Sequence, residues 1–249
     1  MNDLATSLPV LDLARFCGTV GERTIFLAAL RDALHGQGFF YLTGHGVDPE
    51  LIAHVLAAAR GFFALPLGEK RKIEMVHSPH FRGYNSAGQE RTRGAPDWRE
   101  QFDINTEALP FAMKWDTPVW RRLQGPNQWP EALPEFRPAL LAFQAEATRV
   151  AIDLLRAIAV ALGQPESAFA DIYEPCPSQL MKIIRYPGRE TAGSDQGVGA
   201  HRDGGFVTLL LQDVVAGLRV QTPEGDWVEA PPCPRHPRGQ CRRIAGARH

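Results

Sequence analysis

His201-Arg202-Asp203 puts an imidazole and a carboxylate two residues apart, just after the glycine-rich Gly197-Val198-Gly199. In a β-strand, residues two apart project to the same face, so the two side chains can converge on one point. An imidazole, a carboxylate and a second imidazole from elsewhere make a facial metal triad. Such a triad occupies half of an octahedral shell and leaves the other half for a bidentate ligand and dioxygen. Nitrogen and oxygen donors with open positions favour iron(II) over zinc. Spacing alone fits a surface strand with an exposed polar pair equally well.

The remaining chemistry-bearing residues say less. His45 lies in a tight Gly-His-Gly turn and reads as a turn cap. His35 and His54 fall on predicted helices, and His77 and His80 flank Pro79 in a predicted loop. Arg91, Arg93 and Arg99 form a basic cluster that suits either an anionic substrate or a solvated loop face. Cys17, Cys176, Cys233 and Cys241 form no CxxC pair, which points to reduced thiols, not a disulfide framework or a zinc site.

The pattern predicts the elements that would hold these residues. Glu22 to Gly36 reads as a helix with Phe26, Leu27, Leu30 and Leu34 on one face. Gly38 to Thr43 is an aromatic, β-prone strand, and Asp48-Pro49 opens a helix through Phe62. A short helix is expected between Phe63 and Glu74, and mostly loop from His77 to Pro130. The longest helix is predicted over Phe136 to Leu162, stopped by Gly163. Short strands are then expected at Leu180 to Tyr186, Phe206 to Gln212, Leu218 to Gln221 and Trp227 to Glu229. Helices followed by short strands indicate an α+β protein whose second half is a barrel or sandwich.

The chain of 249 residues is long enough for a sizeable core. Its 27 Lys and Arg against 28 Asp and Glu give no electrostatic reason to expect nucleic acid or an anionic membrane. No apolar run reaches membrane-spanning length and no secretory signal opens the chain, so the expectation is a cytoplasmic globular protein.

Longer strings carry a resemblance. Gly38 to Val47, Phe62 to Ile73, Arg82-Gly83-Tyr84, the run from Pro96 to Asp103, Tyr186-Pro187, and Phe206 to Val220 following His201 and Asp203 occur in the order found in the isopenicillin N synthase-like oxygenases. The chain resembles that family over nearly all of residues 8 to 232, and its central loop is most similar to bacterial members. The resemblance implies a double-stranded β-helix (jelly roll) core with flanking helices. It implies Fe(II), with 2-oxoglutarate as cosubstrate and dioxygen, and oxidation of a small-molecule substrate with release of succinate and CO2. His201 and Asp203 become metal ligands, and Tyr186 a hydrogen-bond donor to 2-oxoglutarate or a half-buried aromatic tied to backbone. Relatives often carry Asn two residues before that Tyr, where this chain has Ile184. The domain reading is an N-terminal region over 8–125, a packing helix over 126–174 and a partial oxygenase domain over 175–232. Two other functions stay open: an ethylene- and succinate-forming oxygenase, and a non-catalytic binding remnant.

The pattern breaks near the end. The family requires a second histidine and an Arg-x-Ser pair on later strands, and after Asp203 this chain has only His236 and His249. Residues 233–249 are rich in Arg and poor in apolar side chains, which predicts a disordered tail and missing C-terminal barrel strands. Arg235 to His249 can be encoded so that a one-base displacement reads Gly-Thr-Leu-Val-Val-Asn-Val-Gly-Glu-Leu-Leu-Glu-Leu-Ala, the string the family shows at that place. A frameshift near the codon for Pro234, and a weakly metal-binding, inactive product, are the resulting expectations.

Overall fold

The computed structural model describes residues 8–188, 190 and 195–232, and the backbone of residues 243–247. The chain folds as two units: residues 1–53, 145–174 and 203–249 form the first, and residues 54–144 with 175–202 the second.

In the first unit, α1 (Val20–His35) begins two residues earlier than its apolar period suggests, because Thr19 caps it. The Thr19 hydroxyl accepts the Glu22 amide at 3.3 Å and the Glu22 carboxylate accepts the Thr19 amide at 2.9 Å. This reciprocal box satisfies two amides the helix cannot. Phe26, Leu30, Ala33 and Leu34 bury its inner face. Strand β1 (Val10–Asp12) runs parallel to β2 (Phe39–Thr43), in which Phe40 and Leu42 are fully buried. Strand β8 (Val207–Leu210) and the hairpin β9 (Arg219–Gln221) and β10 (Trp227–Glu229) match the predicted strands to within two residues. Tyr41, Leu8, Val220 and Ala230 form a buried cluster with Phe39, Leu210, Leu218 and Val228 around it. The Tyr41 hydroxyl reaches the Pro231 carbonyl at 2.7 Å.

One expectation is corrected here. Arg243–Ala247 form a strand, β11, between β2 and β8, giving a sheet of order β1-β2-β11-β8. The composition of the tail predicts no strand, yet one forms. The physical reason is that β2 and β8 each present a row of backbone donors and acceptors, and any backbone can satisfy them.

In the second unit, β3 (Gly83–Asn85), β6 (Glu100–Asn105) and β7 (Leu180–Arg185) form an antiparallel sheet of order β3-β6-β7, beside the small hairpin β4 (Arg91–Thr92) and β5 (Ala95–Pro96). The expected loop from His77 to Pro130 therefore contains four strands. Strand β6 is buried over five of its six residues, and its Glu100, Gln101 and Asp103 hide the apolar alternation that marks a strand. Its core partners are aromatic. Phe62 stacks on Phe136 at 4.8 Å and 11°, and lies 4.9 Å from Phe102. Burying each such ring contributes roughly 1.5–3 kcal/mol. Short helices α3 (Leu67–Arg71) and α5 (Ala170–Tyr173) complete the elements, while α2 (Pro49–Ala64) and α4 (Phe136–Ala161), both close to their predicted spans, contribute residues to both units.

Candidate functional site

Strand β6 and the segment leading into it organise the polar groups of the second unit. On one face, Glu100 accepts hydrogen bonds from Lys70 Nζ, the Tyr84 hydroxyl and Arg185 Nη1, each at 2.7 Å. Burial works against its charge, but these three donors outweigh it and hold the carboxyl below the usual carboxylate range. Burial and the Glu100 hydrogen bond push the Tyr84 phenol upward, so it stays a donor.

The opposite face carries Gln101 and Asp103, paired across the ladder with Ile184 and Lys182. Asp103 Oδ2 accepts from Lys182 Nζ at 2.7 Å. Burial pushes the Asp103 carboxyl up, and Lys182 opposes that without cancelling it. Glu90 spans two neighbours: Gln101 Nε2 donates to it at 2.9 Å and Arg99 Nη2 at 3.0 Å.

Asp97, just before β6, anchors a different stretch. Its Oδ1 accepts from Gln196 Nε2 at 2.8 Å and the Gly199 amide at 3.1 Å, and its Oδ2 accepts the Thr92 hydroxyl at 2.7 Å. Burial raises its carboxyl pKa, yet these donors and Arg99 overcome that and leave it lowered. Gly199 has no room for a side chain, since a Cβ would sit 2.6 Å from Thr92 Cγ2. The Gly199 carbonyl in turn faces His201 Nδ1 at 2.8 Å. A carbonyl can only accept, so Nδ1 is the donor in this contact, which fixes the ring orientation as the backing of a metal-ligating imidazole does.

His201 and Asp203 do not lie in a strand as expected. Both are exposed residues of the irregular segment before β8, where no strand alternation orients them. His201 belongs to the second unit and Asp203 to the first. Tyr186 sits one residue past β7, half exposed, with its hydroxyl against the Arg99 guanidinium and its ring beside Gly197. Of the basic cluster, Arg99 is engaged with Glu90 and Tyr186, whereas Arg91 and Arg93 are exposed. His45 caps its turn as expected, with Nδ1 accepting the Val47 amide at 3.1 Å.

The sequence reading missed Glu90, Asp97, Gln101, Asp103 and Lys182 as a polar constellation. Its signal was the alternation Asp97, Arg99, Gln101, Asp103, which is the pattern of a strand with one polar face.

Two family descriptions match the chain. Residues 8–132 match the non-haem dioxygenase in morphine synthesis N-terminal model, and residues 177–242 match the 2OG-Fe(II) oxygenase superfamily model. The chain belongs to the 2OG-Fe(II) oxygenases. It is 37% identical over 231 residues to the 2-oxoglutarate-dependent dioxygenase frbJ of Dothideomycetidae sp. (strain 11243), covering 91% of this chain and 61% of that protein. To the homoarginine-6-hydroxylase 2-ODD-C23.1 of Arabidopsis thaliana it is 35% identical over 242 residues, covering 92% and 72%. A full-length Neurospora crassa protein crystallised in complex with alpha-KG superimposes with a TM-score of 0.79 at 26% identity, covering 99% of this chain and 74% of that one. The chain thus spans about two thirds of the length of the relatives it matches, and it shares the jelly-roll fold of such oxygenases.

Members of this family use Fe(II), 2-oxoglutarate and dioxygen. The donors among the described residues do not make up a full iron centre. Among the described residues, no three His, Cys, Asp or Glu side chains are grouped to hold a metal ion. His201 and Asp203 supply two donors, and His236 and His249 lie outside the described residues. Among the described residues, no helix is long and apolar enough to cross a membrane.

Proposed function

We propose that this chain derives from an iron(II)- and 2-oxoglutarate-dependent dioxygenase that oxidises a small organic molecule, with His201 and Asp203 as metal ligands and Tyr186 as a contact for 2-oxoglutarate. The observation that carries this reading is how the His201 ring is held. Its Nδ1 is committed to the Gly199 carbonyl, and Gly199 is itself held by Asp97, within the stretch that matches the oxygenase superfamily model. The central loop is of the bacterial type, and the protein works as a cytoplasmic monomer.

With two protein donors the chain holds iron weakly, and its tail reads as the product of a one-base frame displacement near Pro234. Incubation with Fe(II), ascorbate and 2-oxoglutarate in air tests both parts. The 249-residue chain is expected to form no succinate above an iron-free control. A version with the frame displaced by one base after that codon is expected to form it. Succinate from the chain as it stands would refute the weak-iron reading, and none from either version would refute the oxygenase reading.

That no three-donor metal group occurs among the described residues also favours a second reading, a binding remnant that keeps the small-molecule site without oxidation. It predicts ligand binding without iron that His201→Ala leaves unchanged.

A further inference from the structure

The two faces of β6 differ in one respect that packing does not explain. On the core face, both carboxylate oxygens of Glu100 are hydrogen-bonded. On the other face, Asp103 Oδ1, Gln101 Oε1 and, just ahead of the strand, Arg99 Nε are buried atoms with no hydrogen-bond partner among the described residues. Asp103 is 2% exposed and Gln101 1% exposed. Buried polar atoms are nearly always satisfied, and an unmet acceptor is costly. Three unmet atoms at successive alternate positions of one extended stretch mark a place built to be completed by something else.

The chemistry of the missing partner follows from the atoms. Gln101 Nε2 is committed to Glu90, which fixes the amide and leaves Oε1 as an acceptor. Asp103 Oδ2 is committed to Lys182, which leaves Oδ1 as a second acceptor. Arg99 Nη2 is committed to Glu90, which leaves Nε as a donor. Residues two apart on a strand stand about 7 Å from each other, a distance one planar nitrogen group can bridge. Glu90 and Asp103 are balanced by Arg99 and Lys182, so the face carries no net charge to favour a bare ion. An apolar substrate would leave every one of these atoms unmet.

We propose that this face is the substrate-recognition subsite of the protein, and that it takes a small molecule presenting a planar N–H-bearing group, of guanidinium or amide type. Asp103 and Gln101 accept its N–H groups, and Arg99 Nε donates to an oxygen where the ligand has one. The proposal rests on the reading that this fold holds a small-molecule site, and it names the substrate class for that site. It does not depend on iron or on turnover.

The test is isothermal titration calorimetry on the full chain without iron or 2-oxoglutarate. The probes are L-homoarginine, its neutral urea analogue L-homocitrulline, and L-norleucine, which has an aliphatic stem and no side-chain N–H. At least one of the first two is expected to bind about tenfold or more tightly than L-norleucine. The better of the two shows whether the nitrogen is cationic or neutral. Asp103→Asn and, separately, Gln101→Met are each expected to weaken that binding about tenfold, in protein whose far-UV circular dichroism matches the parent. Equal binding of L-norleucine, binding untouched by both variants, or no binding by any probe overturns the proposal. Succinate formation by the frame-restored chain is read separately, so a failed oxygenase reading and a failed subsite are distinguished.

Discussion

Glu100 is 5% exposed and still ionised, because Lys70, Tyr84 and Arg185 all donate to it. Removing one partner of a buried pair leaves the other charge uncompensated, at a cost of about 3–5 kcal/mol. Lys70→Met is therefore expected to lower unfolding stability by about 3 kcal/mol at pH 7, measured by urea titration. The pH dependence follows from the direction of the Glu100 shift. Its folded pKa lies below the ordinary 4.5, so its contribution is present above that value and is lost as pH falls through the lower folded pKa. The gap between parent and variant should thus narrow in acid, and a gap that stays constant down to about pH 3 would show that the loss is packing, not charge. Asp103 has the opposite sign: its carboxyl is raised by burial, so its ionised form at neutral pH opposes folding. A residue kept at a cost to stability is what a recognition site shows.

At the scale of elements, β6 depends on α2 and α4 more than on its own β-propensity. Phe62 from α2, Phe102 from β6 and Phe136 from α4 are all fully buried and in mutual ring contact. Phe62→Ala removes the ring that touches both others and is expected to cost about 3–5 kcal/mol. Thermal unfolding checks this, and a loss near about 1 kcal/mol would mean that the neighbours collapse into the space. Strand β6 is hard to read in the sequence for the same reason that it is interesting. Its buried polar residues break the apolar alternation, and only the paired strands β3 and β7 and the ring cluster give them a reason to be in a strand. The helices and the four later strands are legible because their apolar spacing and their turn residues agree.

For the whole molecule, the sheet β1-β2-β11-β8 closes through a strand whose backbone pairs on both sides. Deleting residues 243–249 would open edges on β2 and β8. Hydrogen exchange is then expected to lose protection at Phe39–Leu42 and Val207–Leu210 while the β6–β7 amides stay protected. Unchanged protection at β8 would mean that the strand adds nothing to the first unit.

The sequence by itself determined the family, the helices and most strands, since each rests on local residue types in a fixed order. The tertiary structure alone decided three things. It joined Asp97 to Gly199 and so to the His201 ring, across more than a hundred residues of chain. It turned an apparent loop into a buried strand with one unsatisfied polar face. It made a strand of Arg243–Ala247, because pairing between two open edges is a property of the backbone and not of the side chains that sequence patterns record.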